Sequence, residues 1–249
     1  MAEVLKQLRG HSGSEVYLMK NDQKLYVRKV DNVERNHERM KALFGYVDLP
    51  EIYDYNGTSL EMEYIQGQDM KNYFLYNGVA EFNQFITNTI NLFAANSEDK
   101  DYHETYVHSL YWLESYNNPF PFTADQLVEK LPRVLPRSVY HGDMTLENII
   151  YSGTSRFYFI DPVTVPYDSW VFDIAKMRQD LECKWFLRYD ERTHIDVKLG
   201  NIQETILHRF PIANNNYLLI LMLLRVFKHC IRGTLEYDFI VKEIKRLWK

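Results

Sequence analysis

Cysteine is scarce: only Cys183 and Cys230 occur in 249 residues, and both sit in apolar stretches that read as helical. A disulfide framework is therefore not expected, and the pair reads as two small buried hydrophobes of a reduced, cytoplasmic protein. Long hydrophobic runs are missing as well. The longest, YLLILMLL from Tyr217 to Leu224, falls far short of the ~20 residues a bilayer demands and reads as a buried helix. The N-terminal stretch MAEVLKQLRGHSG has no apolar core of signal-peptide type. A basic excess is absent too: 29 Lys and Arg stand against 34 Asp and Glu, a formal charge of −5. Neither nucleic acid nor an acidic membrane is an expected partner on general electrostatic grounds.

What is present begins with a hydrophobic fraction of 46%, enough to bury a sizeable core as one larger domain or two smaller ones sharing a cleft. From Val4 to Val30 the pattern is extended, with VLKQL, EVYLMK and KLYVRKV separated by the turns GHSGS and NDQ. Val33 to Phe44 suits a helix with Asp31 or Asn32 as its N-cap. Two more strands, around Ile52 to Tyr55 and Leu60 to Ile65, flank the turn NGT. After Gln66 to Asp69 the period changes. Phe82, Phe85, Ile86, Ile90 and Phe93 recur at helical spacing, and stretches around 173–189, 214–231 and 237–248 also read helical.

Into that helical part is set VYHGDMTLENIIYSGTSRFYFIDPV, from Val139 to Val163. His141, Gly142 and Asp143 are followed after four intervening residues by Asn148, and thirteen positions later by Asp161. Ile149 to Tyr151 and Arg156 to Ile160 read as two strands of a hairpin that returns Asp161 beside Asn148. This is the order a phosphoryl-transfer site needs, because such chemistry depends on placing a hydroxyl in line and neutralising spread negative charge. Asp143 would orient the acceptor hydroxyl and accept its proton. Asn148 and Asp161 would offer hard oxygen ligands to Mg²⁺, which keeps most of its coordination for phosphate and water.

These residues resemble the aminoglycoside phosphotransferase and choline kinase group, small-molecule kinases with a protein-kinase-like fold. The signature is HGD-x-x-x-x-N at His141 to Asn148, then Ile160-Asp161 ending an apolar strand, then Asp173-Ile174-Ala175. The resemblance implies an α+β fold of two lobes, a small antiparallel-sheet lobe over residues 1–66 for nucleotide and a mostly helical lobe over 67–249 for catalysis and substrate. ATP and Mg²⁺ are the implied cofactors, bound between the lobes. In the first lobe, Gly10, Ser12, Gly13 and Ser14 form a loop whose backbone N–H groups suit phosphates, though a plain turn explains it equally.

Strand alternation sets Val27 and Lys29 on one face of Tyr26 to Lys29 and Arg28 on the other, so Lys29 matches the family's phosphate lysine with Arg28 as its rival. The resemblance implies a helix carboxylate holding that lysine, with Glu38 favoured and Glu34 one turn earlier. Backbone groups of Glu63 and Ile65 match the adenine-binding connection, and Val16, Val27 and Met62 are candidate walls for the base or ordinary core residues. His141 and Asp173 are read as braces of the catalytic loop.

Two departures narrow the class: protein kinases carry a lysine two positions after the catalytic Asp and Phe-Gly after the metal Asp, whereas Thr145 and Pro162-Val163 stand here. A small-molecule hydroxyl is therefore the expected acceptor, of amino-alcohol, aminoglycoside or sugar type. Acidic and aromatic residues mixed between Asp168 and Asp196 suggest a cation-holding surface, against the plainer reading of a partly solvated helix with its aromatics in the core. The competing functions are a nucleotide-binding scaffold without activity and a kinase-fold enzyme that modifies a protein. Oligomeric state is not legible.

Overall fold

The computed structural model describes residues 3–8, 14–22, 24–115, 117–153, 156–190 and 195–249. In chain order the strands and helices begin with β1 (Glu3–Leu8), β2 (Glu15–Lys20), β3 (Leu25–Val30), α1 (Glu34–Leu43), β4 (Ile52–Tyr55) and β5 (Ser59–Glu63). They continue with β6 (Gln68–Asp69), α2 (Met70–Tyr76), α3 (Ala80–Ala94), β7 (Glu98–Asp101), α4 (His103–Leu110), α5 (Trp112–Ser115), α6 (Ala124–Lys130) and β8 (Val134–Arg137). The remainder comprises β9 (Ile149–Ser152), β10 (Arg156–Phe159), α7 (Trp170–Leu181), α8 (Asp196–Arg209), α9 (Asn216–Phe227) and α10 (Leu235–Leu247). The fold class is α+β. Two compact units contain all of it, one made of Met1–Tyr73 with Glu147–Thr164 and the other of Phe74–Leu146 with Val165–Lys249.

In the first unit an antiparallel sheet runs in the order β1-β2-β3-β5-β4. Register fixes which side chains share a face, because residues directly opposite in an antiparallel pair point the same way. Val16 and Leu60 both lie opposite Lys29, and Leu18 and Met62 both lie opposite Val27. Helix α1 covers that face: Val33, Met40 and Leu60 form a buried cluster on which Ile52, Tyr55 and Met62 pack. Arg28 turns to the other face and donates from Nε to Glu61 Oε1 at 2.8 Å.

The expected N-cap of α1 is corrected. Val33 occupies that position without a side-chain bond. Asp31 and Asn32 instead adopt left-handed backbone, φ 62° and 55°, which these two residue types tolerate better than most. The chain thereby turns out of β3 and into the helix.

The hairpin of β9 and β10 pairs in register from Ile149 opposite Phe159 to Ser152 opposite Arg156. β6 adds to its other side, with Gln68 opposite Tyr151. Gly67 precedes β6, and a Cβ there would strike the backbone of Tyr151 and the side chain of Ile150.

In the second unit α7 is the central rod, with all twelve of its residues buried. Its neighbour α9 buries Leu218 through Leu224 and Phe227, which accounts for the apolar run in the sequence. Both helices begin on side-chain caps: Ser169 Oγ accepts from Val171 N at 3.2 Å and Asn215 Oδ1 from Tyr217 N at 2.8 Å. Cys183 and Cys230 are free thiols. Among the described residues no helix is long and apolar enough to cross a membrane.

Candidate active site

The first unit gathers one set of charged residues. Lys29 is only 5% exposed, and its ammonium hydrogen-bonds the Asp161 carboxylate. The second partner of that carboxylate is Asn36 of α1, whose Nδ2 donates to Asp161 Oδ1 at 2.8 Å and to the Pro162 carbonyl at 2.7 Å. Arg35 continues the fastening, donating from Nε to Thr164 O at 2.7 Å while its own carbonyl accepts from Thr164 N at 3.1 Å. Asp161 itself sits in left-handed backbone at φ 55°, a sparsely populated conformation that its surroundings must hold.

Asn148 and Asp161 are neighbours through the hairpin: Ile160 N donates to Asn148 O at 2.9 Å, just beyond the last paired residues. An amide oxygen and a carboxylate are hard donors that suit Mg²⁺. Among the described residues no three His, Cys, Asp or Glu side chains cluster as a metal cage.

Of the other residues read from the sequence, Ser14 is buried and donates from Oγ to Asp31 O at 2.8 Å, whereas Gly10, Ser12 and Gly13 lie outside the described residues. Val16 and Val27 are half-buried on the Lys29 face. Glu34 and Glu38 are both exposed, and among the described residues the ion-pair partner of Lys29 is Asp161. Glu63 N donates to Glu51 O at 2.8 Å within the sheet, and Ile65 is buried.

The second unit builds the loop that carries Asp143. Asp173 lies in the first turn of α7, whose N-cap is Ser169, and is 2% exposed. Its carboxylate accepts from the backbone N–H groups of His141 at 2.5 Å and Gly142 at 2.8 Å. Gly142 has φ 91°, so the turn that aims both N–H groups at one carboxylate demands glycine there. His141 is fully buried and its Nδ1 accepts from Asp143 N at 3.3 Å.

Asp143 in turn lies 3.2 Å from the ammonium of Lys176, a lysine only 5% exposed. Further along α7, Asp180 accepts from Leu146 N at 2.7 Å and from Phe186 N at 3.1 Å. Arg225 of α9 donates to the Gly142 carbonyl at 3.0 Å. Burial alone would push the Asp143 carboxyl up, but Lys176, Arg225 and His141 together outweigh it and hold the group below its ordinary range. Asp143 is therefore ionised at neutral pH, as a proton acceptor must be.

Among the described residues, Asp168, Glu182, Trp170 and Trp185 of the acidic and aromatic mixture over 168–196 are taken up by the protein's own groups, and Glu191 lies outside the described residues. Asp168 accepts from Lys100 at 2.6 Å and Tyr102 at 3.0 Å and pairs with Arg137 at 3.0 Å. Glu182 is engaged by Arg178 at 2.7 Å and Gln203 at 3.1 Å. Trp170 and Trp185 are buried, packed on Phe210 and Phe239. The protein's own Arg188 lies 4.2 Å from the Trp185 ring.

No protein-family model matches the sequence, and no curated protein does. Solved structures do match. The apo form of a thermostable mutant of aminoglycoside phosphotransferase APH(4)-Ia aligns with a TM-score of 0.69 at 12% identity, over 99% of this chain and 94% of that one. A ternary complex of such a mutant with ADP and hygromycin B gives 0.66 at 13%, over 99% and 93%. An ethanolamine kinase from Plasmodium vivax gives 0.60 at 14%, over 100% of this chain and 82% of that one. The chain has the aminoglycoside phosphotransferase fold.

On this phosphotransferase fold three residues not singled out from the sequence contact the charged loop or Asp161, namely Asn36, Lys176 and Arg225, while Asp180, read from the sequence only as one acid of a cation-holding surface, fastens Leu146. A signal existed for Lys176 and Asp180. Asp173, Lys176 and Asp180 recur at intervals of three and four along a largely apolar helix, which sets them on one face toward the loop they fasten. Asn36 and Arg225 meet their partners 125 and 83 positions away, and no local pattern announces either contact.

Proposed function

We propose that the protein is an ATP- and Mg²⁺-dependent phosphotransferase that moves the γ-phosphate to a hydroxyl of a small molecule, with residues 1–66 as the nucleotide lobe and 67–249 as the catalytic and substrate lobe. The observation that carries this reading is the ion pair of buried Lys29 with Asp161, residues 132 positions apart that have no structural need of each other unless a site is built there. An ion pair whose lysine is buried while its carboxylate side chain stays 39% exposed contributes little net stability, so its usual justification is chemical.

Lys29 holds the α- and β-phosphates as a desolvated point charge, positioned by Asp161 until nucleotide arrives. Asn148 and Asp161 would hold Mg²⁺, which would supply charge neutralisation to the phosphates when bound. Val16, Val27 and Met62 wall the base, backbone groups of Glu63 and Ile65 meet its edge, and the N–H groups of Gly10, Ser12, Gly13 and Ser14 cover the phosphates. Asp143 accepts the proton of the acceptor hydroxyl as its oxygen bonds to the γ-phosphorus and the bond from that phosphorus to the β,γ-bridging oxygen breaks, releasing ADP. His141 and Asp173 act through Asp143 by fixing the loop. Glu38 is the helix carboxylate that takes Lys29 once Asp161 is engaged elsewhere. The working compartment is the cytoplasm.

The test is a panel of hydroxyl compounds (amino alcohols, aminoglycosides, sugars) with γ-labelled ATP, comparing the native protein with Asp143→Ala. Label should enter a small molecule and vanish in the variant. Nucleotide binding without transfer to anything would point to a scaffold, and label in added protein to a protein-modifying enzyme.

A further inference from the structure

The proton transfer assigned to Asp143 disturbs a buried ion pair. Lys176, in the middle of α7, is only 5% exposed, and among the described residues its polar contacts are the Asp143 carboxylate at 3.2 Å and one neutral acceptor, Gln179 Oε1 at 3.3 Å. Once Asp143 takes up a proton, that ammonium is left in the interior beside a neutral acid. A buried cation stripped of its counter-charge is strongly unfavourable. Arg225 also attracts Asp143, but its hydrogen bond goes to the Gly142 carbonyl, which the proton does not reach. Lys176 is therefore the cation whose partner the reaction consumes.

The surroundings keep the ammonium in place. Asp173 and Asp180, on the same face of α7, hold the backbone N–H groups of His141, Gly142 and Leu146, so helix and loop are fastened together before and after Asp143. On its flexible stem the ammonium can still change partner within that enclosure. The transfer itself brings the new one. As the acceptor oxygen bonds to the γ-phosphorus, its proton passes to Asp143, and the bond to the β,γ-bridging oxygen breaks with its electron pair going to ADP. The negative charge lost at the carboxylate reappears on ADP. The phosphoryl group, negative throughout, ends on the oxygen that Asp143 had held.

Resting on the phosphotransferase reading above, we propose that Lys176 is a second catalytic residue of the transfer, whose ammonium leaves the Asp143 carboxylate as that group is protonated and pairs with the oxygens of the arriving phosphoryl group. One buried cation thereby couples the movement of the proton to that of the phosphoryl group. Because the new pairing forms only as the transfer proceeds, it raises kcat without tightening the ground-state binding of either substrate.

Lys176→Met is compared with the native full chain well above the acidic limb of the pH profile, where Asp143 is ionised in both. With the hydroxyl compound that takes label in the acceptor panel, kcat on that plateau should fall by about 10² to 10³, while the KM for ATP and for the acceptor stay within about two-fold. A lysine that merely tuned or braced Asp143 would move the limb and leave the plateau in place. A second readout needs no turnover: with Mg²⁺ and ADP present, aluminium fluoride is titrated in by calorimetry as an anionic stand-in for the phosphoryl group in transit. Lys176→Met should weaken its binding roughly a hundred-fold while ADP binds as before. Lys176→Ala with ethylammonium added to fill the vacated space should regain kcat, and it carries the test if Lys176→Met fails to fold. An unchanged plateau, unchanged affinity for aluminium fluoride, a loss confined to KM, or no response to the amine overturns the proposal and leaves the phosphotransferase reading standing. If the native protein transfers phosphate to no hydroxyl compound, that reading is removed and the inference falls with it.

Discussion

The two units place their charged residues by opposite means. In the first, Lys29 comes from a strand and Asn36 from the helix that follows it, while Asp161 lies 132 and 125 positions further on, after a hairpin, so the group exists only where two sequence-distant pieces meet. In the second, a single buried helix presents Asp173, Lys176 and Asp180 on one face, and the loop carrying Asp143 is fastened to that helix. Loop placement by one rigid helix tolerates little adjustment. A group assembled by tertiary contact can part and re-form around a ligand, as a nucleotide site must. Charge balance differs as well, since among the described residues Asp161 pairs with Lys29 whereas Asp143 is held below its ordinary range by several cations.

The largest expected effect separates the two groups outright. Asp143→Asn removes the proposed proton acceptor and should lower kcat by roughly 10² to 10⁴ while leaving nucleotide affinity nearly intact. Lys29→Met should do the reverse, raising the KM for ATP by at least about ten-fold through loss of a charge-assisted contact. Steady-state kinetics with fluorescent-nucleotide titration distinguishes them. If Asp143→Asn abolished nucleotide binding, the division of labour drawn here would collapse.

Next in size is Asp173→Asn. The carboxylate accepts two backbone N–H groups in a buried site, and an amide offers only one acceptor atom, turning its NH₂ against the other donor. The loss should be about 2 to 3 kcal/mol in urea denaturation, because a buried donor is left unmatched. An equal loss from removing Asn36 would contradict the view that the helix-fastened group is the stiffer of the two.

Lys176→Met tests the electrostatics with little change of shape. The folded Asp143 carboxyl lies below its ordinary value, so its contribution to stability is present above roughly pH 4 and fades as pH falls through the folded value. Without Lys176 the raising effect of burial gains ground, and the acidic limb of kcat/KM should move up by about one pH unit. Lys176→Arg, which keeps the charge, should restore most of the original profile. A limb that stays in place when Lys176 is lost would show that Arg225 and His141 suffice.

Sequence pattern reached much of this arrangement and stopped at a physical boundary. Alternation in β3 separated Lys29 from Arg28, the hairpin of β9 and β10 was readable from its apolar strands and small turn residues, and the spacing from His141 to Asp161 singled out the charged loop. All of these are local periodicities, the kind a chain displays openly. The expected cap of α1 failed because Asp31 and Asn32, good caps by type, are spent on left-handed turn geometry instead. The acids and tryptophans between Asp168 and Trp185 looked like a binding surface because sequence does not show that Lys100, Arg137 and Arg178 neutralise them or that their rings face inward. Arg225, which meets the Asp143 loop from 83 positions away, was hidden for the same reason.

The smallest expected effect falls on Asn36, and it bears on whether the first group is assembled by tertiary contact. Asn36→Leu keeps the volume and removes two hydrogen bonds, one to Asp161 and one to the buried Pro162 carbonyl. Asp161 retains Lys29, so the lost stability should be about 1 to 2 kcal/mol, at the low end of the cost of leaving a buried carbonyl unpaired. Catalysis should register it differently. With Pro162 no longer tied to α1, the left-handed turn at Asp161 loses one of its constraints, and the KM for ATP should rise a few-fold at nearly constant kcat. Ser169→Ala, which removes the cap of α7 at a similar cost of about 1 kcal/mol, should leave that KM where it was. Equal shifts in both variants would mean that nucleotide affinity follows global stability and not the junction of α1 with the segment after β10.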